Sequence, residues 1–538
     1  MSPGNRQIKK EVERRRTFAI ISHPDAGKTM LTEKLLLFGG AIREAGAVRA
    51  QKANRHATSD WLELEKQRGI SVSSSVMSCD YEGHRINILD TPGHKDFSED
   101  TYRTLMAADC VVMLIDGAKG VEAQTRKLFE VCRMKCLPIF TFVNKWDRHG
   151  RDPLDLMSEI EEVLGIDAVP VNWPIGAGSE FRGVYDRLNG SALLFEGGKH
   201  GTEKPEQTCV PGAVSDESVR AALGAQADEV GDALELLDGA GSIFSPERVQ
   251  AGEQTPMFFG SALTNFGVFP FLERFLEFAP SPTPRSTQEG SVDPVTSPFS
   301  AFVFKIQANM DPDHRDRIAF LRICSGRFER DMKTTHVRTR KQVRLARSTL
   351  LMAQEREEVD EAYAGDVVGL FDPGFFRIGD TLCEGGGLAY EGIPTFSPEV
   401  FARVEVTEVL NRKALAKGFE QLSQEGAVQL FNEPVGGSAL QIVGAVGELQ
   451  FDVLRHRMAT EYRVDVRLTR LPFTLARWVE GDLDADTFQY SDATRLVLDR
   501  DGRSVLLFQA PWVIDLVHKN HPELRLTETA ASGSPAAE

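Results

Sequence analysis

The sequence predicts a multidomain α/β protein. A first domain built on a parallel sheet, with an inserted subdomain, precedes a β-barrel domain and an α+β sandwich domain. The 538 residues exceed the ~250–300 residues that one hydrophobic core can organise. In the first half, short apolar runs alternate with helical patterns, which is typical of parallel strands joined by crossover helices. Glycine-broken strands follow, and then a second alternation of strands and helices.

The first domain is predicted to span residues 1–280. Its last element is a helix over residues 268–278, and a run of prolines then marks a linker over residues 281–298. Short apolar runs predict five strands, at residues 17–21, 85–89, 110–115, 138–143 and 257–260.

The second and third domains are predicted from a change of pattern. Residues 299–390 contain short alternating strands broken by glycines, which favours a β-barrel. Residues 396–480 alternate strands and helices in the split βαβ order of an α+β sandwich. The predicted elements are a strand at 401–406, a helix at 412–425, a strand at 440–443, a helix at 447–458 and a strand at 462–466. We expect residues 481–526 to extend this domain and the polar residues 527–538 to form a disordered tail.

Composition and charge argue against a membrane protein and against a protein coated in basic surface. No apolar run approaches the ~18 residues of a membrane span, so we expect no membrane partner. The net charge of −17 argues against a uniformly basic surface for phosphate backbones, although it is compatible with a local RNA-binding patch. Seven scattered cysteines suit reduced thiols. We therefore expect a soluble, cytoplasmic protein.

A candidate phosphate-binding loop follows the first predicted strand. It consists of Ser22, His23, Pro24, Asp25, Ala26, Gly27, Lys28 and Thr29. Such loops need backbone N–H groups around phosphate oxygens, a lysine for the β- and γ-phosphates and a hydroxyl on Mg²⁺. Gly27, Lys28 and Thr29 meet these needs. Ser22 stands where the usual pattern begins with glycine, so this stretch alone also fits an ordinary strand-to-helix turn.

Three further motifs follow predicted strands. In chain order they are Asp90, Thr91, Pro92, Gly93 and His94; then Asn144, Lys145 and Asp147; then Ser261, Ala262 and Leu263. Each motif alone is compatible with a turn or a helix cap. Together they stand at the carboxyl ends of strands, where α/β sheets bind their ligands.

The chemistry of these motifs predicts a GTP site with Mg²⁺. Asp90 can hold Mg²⁺ through water, and the N–H of Gly93 can reach the γ-phosphate. Asp147 can accept hydrogen bonds from the N1–H and 2-amino groups of guanine, a pair that adenine lacks. A loop N–H after Ser261 can meet guanine O6. The pattern therefore favours a P-loop GTPase domain over a P-loop ATPase or kinase.

These motifs, together with residues 68–71, resemble the translational GTPases, the family of elongation factor G and its relatives. Residues 54–61 and 65–72 resemble, more specifically, the bacterial peptide chain release factor 3 branch of that family. The similarity extends over nearly the whole chain. It implies a G domain, a β-barrel second domain and an α/β third domain, with GTP and GDP as ligands.

The resemblance also implies a role for each site residue. Lys28 would bind the β- and γ-phosphates, Thr29 and Ser71 would ligate Mg²⁺, and Asp90 would reach the metal through water. Gly93 would sense the γ-phosphate. The catalytic residue would be His94, which would orient the attacking water. The guanine-reading residues would be Asn144, Lys145 and Asp147, supported by Ser261 and Ala262.

Two positions depart from the family pattern. Ser71 stands where most members have a threonine, and it keeps the hydroxyl. Met30 stands where a threonine usually follows Thr29, and we expect its side chain to pack behind the loop. Pro24 and Ile70 occupy the places of the apolar gate that flanks the catalytic histidine.

The domain plan narrows the expected function. More than a hundred residues separate Asp147 from Ser261, so we expect an insertion over about residues 150–256, as in elongation factor G and release factor 3. We expect no counterpart of the tRNA-shaped C-terminal domains of elongation factor G, because one domain follows the predicted barrel. The resemblance therefore implies a ribosome-stimulated GTPase of translation termination that promotes dissociation of class-I release factors after peptide release.

The sequence leaves open two alternative functions and the role of one basic surface. The chain could be another ribosomal GTPase, translocase-like or ribosome-protecting, or a GTP-gated binding scaffold that never hydrolyses the nucleotide. The expected partners are ribosomal RNA and ribosomal proteins. We expect the protein to be a monomer and to act on class-I release factors indirectly. The basic stretch 333–347 fits either a solvated hairpin or an RNA contact.

Overall fold

The computed structural model describes most of the chain. Residues 41–72, which include Ile70 and Ser71, lie outside the described residues. All seven cysteines are free. The described ranges are 3–40, 73–196, 205–308, 317–346, 348–352, 355–393, 395–406, 412–434, 441–481, 483 and 492–530.

The first domain contains the predicted parallel strands and crossover helices. Its helices are α1 Pro3–Glu13, α2 Lys28–Phe38, α3 Ser98–Ala107, α4 Ala123–Met134, α5 Pro153–Leu164, α6 Glu217–Leu223, α7 Ala227–Gly239, α8 Pro246–Gln250 and α9 Val268–Phe278. Its strands are β1 Arg15–Ser22, β2 Ser75–Tyr81, β3 His84–Asp90, β4 Cys110–Asp116, β5 Ile139–Asn144, β6 Asp167–Pro170, β7 Asn172–Ile175, β8 Gly183–Asp186, β9 Ser191–Glu196, β10 Glu206–Pro211 and β11 Gln254–Phe259.

Seven of these strands form one sheet in the order β2-β3-β1-β4-β5-β11-β6. Each neighbouring pair is parallel except β2 with β3. The central strands are apolar on both faces, because α2 and α9 cover one face and α3, α4 and α5 cover the other. The antiparallel edge strand β2 has no counterpart among the predicted elements.

The insertion lies between β6 and β11. It forms a separate antiparallel sheet in the order β10-β9-β8-β7, and α6 and α7 pack beside it. Trp173, Phe181 and Phe195 join the core of the first domain. The insertion is therefore fastened to the domain by apolar packing.

A short hairpin, β12 Arg285–Thr287 with β13 Gly290–Val292, occupies the proline-rich linker. The barrel domain follows with β14 Ser300–Ala308, β15 Arg317–Ser325, β16 Arg327–Glu329, β17 Lys333–His336, β18 Lys341–Arg344, β19 Ser348–Met352, β20 Glu355–Glu358, β21 Glu361–Tyr363, β22 Val367–Phe371 and β23 Thr381–Cys383. These strands surround one apolar core. The basic stretch contributes the antiparallel hairpin β17–β18, whose Lys333, Lys341 and Arg344 are exposed; Arg347 lies outside the described residues.

The described part of the third domain contains an eight-stranded antiparallel sheet, a two-stranded sheet of β24 with β33, and helices. Its elements are β24 Thr395–Phe396, β25 Val400–Val406, α10 Arg412–Gln424, β26 Gln429–Asn432, β27 Gln441–Ala445, α11 Glu448–Tyr462, β28 Val466–Leu471, β29 Leu475–Glu480, β30 Thr494–Leu498, β31 Ser504–Phe508, α12 Pro511–Asn520, β32 Arg525–Thr527 and β33 Thr529–Ala530. Its sheet order is β28-β25-β27-β26-β30-β31-β29-β32. The multidomain α/β fold class predicted from the sequence is confirmed.

The third domain differs from expectation at three places. The last predicted strand, 462–466, is wrong: α11 continues to Tyr462, and Arg463 then ends it in the left-handed region at φ 57°, a position that no glycine signals. Residues 494–527 complete the same sheet as residues 400–471 rather than extend it, since β26 pairs with β30. The predicted start of the disordered tail, residue 527, is too early, because Thr529–Ala530 pairs with Thr395–Phe396. The polar composition of the tail did not reveal this strand, since backbone pairing does not require apolar side chains.

Buried ion pairs fasten the barrel to the first domain. Arg322 bonds Asp109 at 2.6 Å, and Arg15 bonds Asp366 at 2.8 Å. In the linker, Arg285 donates hydrogen bonds to the carbonyl oxygens of Met106 and Ala108. In the described part of the chain, no helix has the length and apolarity needed to cross a membrane.

Candidate functional site

The parallel sheet brings the four motifs to one edge. β1 ends at Ser22, β3 at Asp90, β5 at Asn144 and β11 at Phe259. The register aligns Ile20 with Asp90, and aligned parallel strands end at the same side of a sheet. Each motif therefore begins where its strand leaves the sheet.

The loop between β1 and α2 curls as a phosphate cradle requires. Asp25 and Gly27 both adopt positive φ, at 67° and 95°. The N–H of Ala26 donates to the oxygen of His23 at 3.3 Å, and the N–H of Leu31 donates to the oxygen of Gly27, which begins α2. A β-carbon at Gly27 would collide with the side-chain amide of Asn144. Both conformation and space therefore require glycine at this position.

Lys28 and Asp90 form a buried ion pair at the centre of the site. The Nζ atom lies 2.5 Å from Oδ1, and each side chain is almost fully buried. The hydroxyl of Thr91 donates to the oxygen of Ile20 at 2.7 Å, which holds the start of the loop after β3 against β1. The site thus contains an ammonium, a carboxylate and, in the first turn of α2, the partly buried Thr29.

The loop after β3 lies along the phosphate cradle. A β-carbon at Gly93 would lie 3.5 Å from Cα of Pro24. His94 follows, with its side chain 34% exposed. Its Nδ1 atom accepts the N–H of Asp96 at 3.2 Å, in a single 3₁₀ turn over Lys95–Phe97. An accessible imidazole therefore stands beside the loop that would hold phosphate.

Asn144 joins the two ends of the site. Its Nδ2 atom donates to the oxygen of Ala26 at 2.8 Å, and its Oδ1 atom accepts the N–H of Ala262 at 2.9 Å. The side chain is buried. Both ends of the amide are thus occupied by protein. Asn144 links the phosphate cradle to the loop after β11, whereas the sequence motif led us to expect that it reads guanine directly.

The remaining polar side chains of the loops after β5 and β11 meet each other. The hydroxyl of Ser261 donates to Oδ1 of Asp147 at 2.5 Å. Lys145 adopts a left-handed backbone with φ 64°, and its Nζ atom lies 2.8 Å from Oδ2 of Asp116. Leu263 is 42% exposed. Together these residues form a polar wall next to an exposed apolar side chain.

Asp116 is a site residue that the sequence motifs did not include. Burial opposes its ionisation, but hydrogen bonds from the Lys145 ammonium and the Ala118 N–H outweigh burial and hold the pKa of this carboxyl below its ordinary value. Asp116 could have been found in the sequence from its position at the end of β4. The two strands beside β4, which are β1 and β5, both end at motif residues.

The remaining predicted residues are Met30 behind the cradle, Ser22 and His23 at its start, and Ser71 and Ile70. Met30 packs against the apolar core behind the cradle, as predicted. Within the described residues, Ser22 has a buried hydroxyl without a hydrogen-bond partner, and Nε2 of His23 lies 3.0 Å from Glu122. Ser71 and Ile70 lie outside the described residues. No cluster of three metal-ligating side chains occurs in the described part of the chain.

Comparisons with known protein families divide the chain in the same order as the structure. Residues 13–281 match the elongation factor Tu GTP binding domain. Residues 298–385 match elongation factor G domain 2. Residues 390–518 match the class II release factor RF3 C-terminal domain.

Full-length relatives agree with these matches. Peptide chain release factor 3 of Symbiobacterium thermophilum is 57% identical over 97% of this chain and 98% of the relative. Peptide chain release factor 3 of Gloeobacter violaceus is 54% identical over 98% of this chain and 99% of the relative. A crystal structure of a Thermus thermophilus protein superimposes with a TM-score of 0.68 at 25% identity, covering 90% of this chain and 73% of that one.

The Asn144 linkage predicts a loss of nucleotide affinity in Asn144→Ala. The substitution leaves a buried carbonyl and a buried N–H unpaired, at ~1–3 kcal/mol each, and frees the two loops from each other. We expect GDP binding, measured by fluorescence titration, to weaken by at least tenfold. Asn172 is a matched control, since it is also buried and bonds the backbone of Phe259 at both amide ends. An equal loss of affinity in Asn172→Ala would assign the effect to general destabilisation.

Proposed function

Because this chain belongs to the peptide chain release factor 3 family, the GTPases of translation termination, we propose that it hydrolyses GTP on the ribosome and thereby promotes departure of class-I release factors after peptide release. The observation that carries the proposal is the meeting of four loops at one sheet edge. They place a lysine–carboxylate pair at one end and an aspartate–serine pair at the other. This arrangement suits one guanine nucleotide lying across the edge.

The Lys28–Asp90 pair is suited to exchange partners when nucleotide and metal arrive together. A buried ion pair is costly to separate unless each charge finds a new partner. Lys28 would turn to the β- and γ-phosphates, and Asp90 would face Mg²⁺ through water. The hydroxyl of Thr29 would be a direct ligand, with Ser71 completing the set. These are the hard oxygen donors that Mg²⁺ prefers, and the bound cation would neutralise phosphate charge.

The opposite end of the site would read the base. Asp147 would accept the N1–H and 2-amino groups of guanine, while the serine hydroxyl on its Oδ1 fixes the carboxylate plane. The backbone of Ser261 and Ala262 would supply an N–H to guanine O6. Lys145, held by Asp116, would line the base pocket, and Asn144 would hold this pocket at a set distance from the phosphate cradle.

Hydrolysis would require little beyond positioning and charge neutralisation. A water oxygen attacks the γ-phosphorus, the bond from that phosphorus to the β–γ bridging oxygen breaks, and GDP and phosphate result. His94 would orient the water, and Gly93 would mark the presence of the γ-phosphate. We propose that this step is slow until the ribosome fixes His94.

The partners follow from the same scheme. A monomer would bind ribosomal RNA and proteins in its GTP form, with the exposed basic residues of the β17–β18 hairpin as one candidate contact. Class-I release factors would be displaced indirectly, because the ribosomal state favoured by this protein would hold them less well. A coupling of ~1–3 kcal/mol would speed departure several-fold to a hundredfold. We propose a cytoplasmic location on the same grounds.

Asp147→Asn should exchange the base preference. Asparagine offers a donor where guanine also offers donors. Each buried group left unpaired costs ~1–3 kcal/mol, so the free energy of GTP binding should weaken by several kcal/mol in total. Xanthosine triphosphate, which presents an acceptor there, should bind in its place. Competition titration with both nucleotides measures the exchange. Asp152→Asn is the control, since Asp152 caps α5 and asparagine caps helices equally well. Retained GTP preference in Asp147→Asn would contradict the base-reading assignment.

His94→Ala should separate binding from chemistry. We expect GTP affinity within twofold of the wild type and ribosome-stimulated hydrolysis slowed by ~10²-fold or more, because positioning of the water is most of the catalysis. Single-turnover phosphate release with saturating ribosomes measures the rate. His518→Ala, an exposed position on α12, should leave both quantities unchanged. Parallel losses of binding and turnover in His94→Ala would make the histidine structural.

The biological proposal is tested on a termination complex. A fluorescent class-I release factor is bound to ribosomes after peptide release, and its dissociation is followed with and without this protein and GTP. We expect a faster dissociation rate with GTP, and His94→Ala should still support the first departure while slowing repeated cycles. An unchanged rate together with accelerated movement of tRNA and messenger RNA would favour the translocase-like alternative. A GTP-dependent acceleration without any hydrolysis by the wild type would favour the non-hydrolysing scaffold.

A further inference from the structure

Asp96 lies between the candidate catalytic histidine and the third domain. One carboxylate oxygen, Oδ2, accepts the N–H of Leu449 at 2.9 Å, in the first turn of α11. The other, Oδ1, lies 3.3 Å from Nδ1 of His94. The backbone N–H of Asp96 donates to the same histidine nitrogen at 3.2 Å. One buried residue therefore contacts both His94 and a different domain.

The fit between Asp96 and the third domain is close. Gly447 precedes α11 with an extended backbone, φ −152° and ψ 169°, a conformation that any residue adopts. A β-carbon at Gly447 would nevertheless overlap the Asp96 carboxyl group. A side chain at this position therefore requires the Asp96 carboxylate to move, so an alanine would push that carboxylate away from Leu449.

A second contact lies further along the same segment. Nη1 of Arg103, on α3, donates to the oxygen of Glu425 at 3.4 Å. The Glu425 carboxylate in turn bonds Arg457 of α11 at 2.8 Å. Both contacts therefore reach the same helix, one at its N-terminus and one through Glu425. A displacement of α11 would act on residues 96–103 at two points.

We propose that Asp96 is a positioning residue through which the position of the third domain against the first domain controls the orientation of His94. The N–H of Leu449 holds the carboxylate, the held carboxylate fixes the turn over Lys95–Phe97, and that turn directs its N–H to the imidazole. Contact between the ribosome and the third domain could then be transmitted to the hydrolytic step without a change at the phosphate cradle. This inference rests on the proposed catalytic role of His94.

The test compares Asp96→Ala, Asp96→Asn and Gly447→Ala in the full-length protein. Asparagine keeps both the backbone N–H and an oxygen for Leu449, whereas alanine at position 96 loses that oxygen. Gly447→Ala acts from the third domain alone. Gly239→Ala is the matched control, since a β-carbon there would meet nothing within 4 Å. GTP affinity is measured by titration, and hydrolysis is measured over a range of ribosome concentrations so that kcat is separated from the half-saturating concentration.

We expect kcat to fall at least tenfold in Asp96→Ala and Gly447→Ala, with GTP affinity within twofold of the wild type. Asp96→Asn should stay within threefold of the wild-type kcat, and Gly239→Ala should match it. An unchanged kcat in both Asp96→Ala and Gly447→Ala, with only the half-saturating ribosome concentration raised, would overturn the inference. The contact would then serve only to hold the two domains together. If His94→Ala is inactive while Asp96→Ala is fully active, the inference alone fails. Full activity in His94→Ala removes the catalytic assignment and the inference with it.

Discussion

The two hydrogen bonds of the Asn144 amide set the geometry on which the rest of the site depends. They join a carbonyl of the phosphate cradle, at Ala26, to an N–H of the loop after β11, at Ala262. The cradle and this loop leave strands that are not neighbours in the sheet, since β4 and β5 lie between them, and the amide bridges that gap directly. Because the side chain is buried, neither bond competes with water, and the separation of the two ends of the site is fixed before any ligand binds.

Buried charge gives the molecule a second constraint. Lys28–Asp90, Arg322–Asp109 and Arg15–Asp366 each place opposite charges together with little exposure. A buried charge that loses its partner is strongly destabilising. The two arginine pairs join different domains, so they specify how the barrel seats on the first domain. The lysine pair joins two loops of the first domain. In the proposed scheme, a phosphate and a cation would take over its two charges together.

Contacts between domains connect the nucleotide site to surfaces that are distant in sequence. Lys305 of the barrel bonds Ser74, whose N–H donates to Asp100 at 2.6 Å. Asp96 of the same segment receives the N–H of Leu449 from the third domain. The segment after β3 is thus held by both neighbouring domains within a few residues of His94. Contacts from the barrel and from the third domain therefore converge on this segment of the first domain.

The sequence by itself determined the motifs and the elements that carry them. Glycine and lysine at 27 and 28, the aspartates at 90 and 147 and the apolar runs before them are local signals, because a phosphate cradle and a buried parallel strand each need particular residues at particular spacings. Tertiary structure alone decided which partners these residues have. Asp116 pairs with Lys145, Asn144 spans two loops, and Asp96 reaches α11, yet nothing in their local sequence names those partners. Likewise β30–β32 join the third-domain sheet although they follow it in the chain. Pairing over such separations depends on how the sheets and helices pack together, and short-range residue patterns do not contain that information.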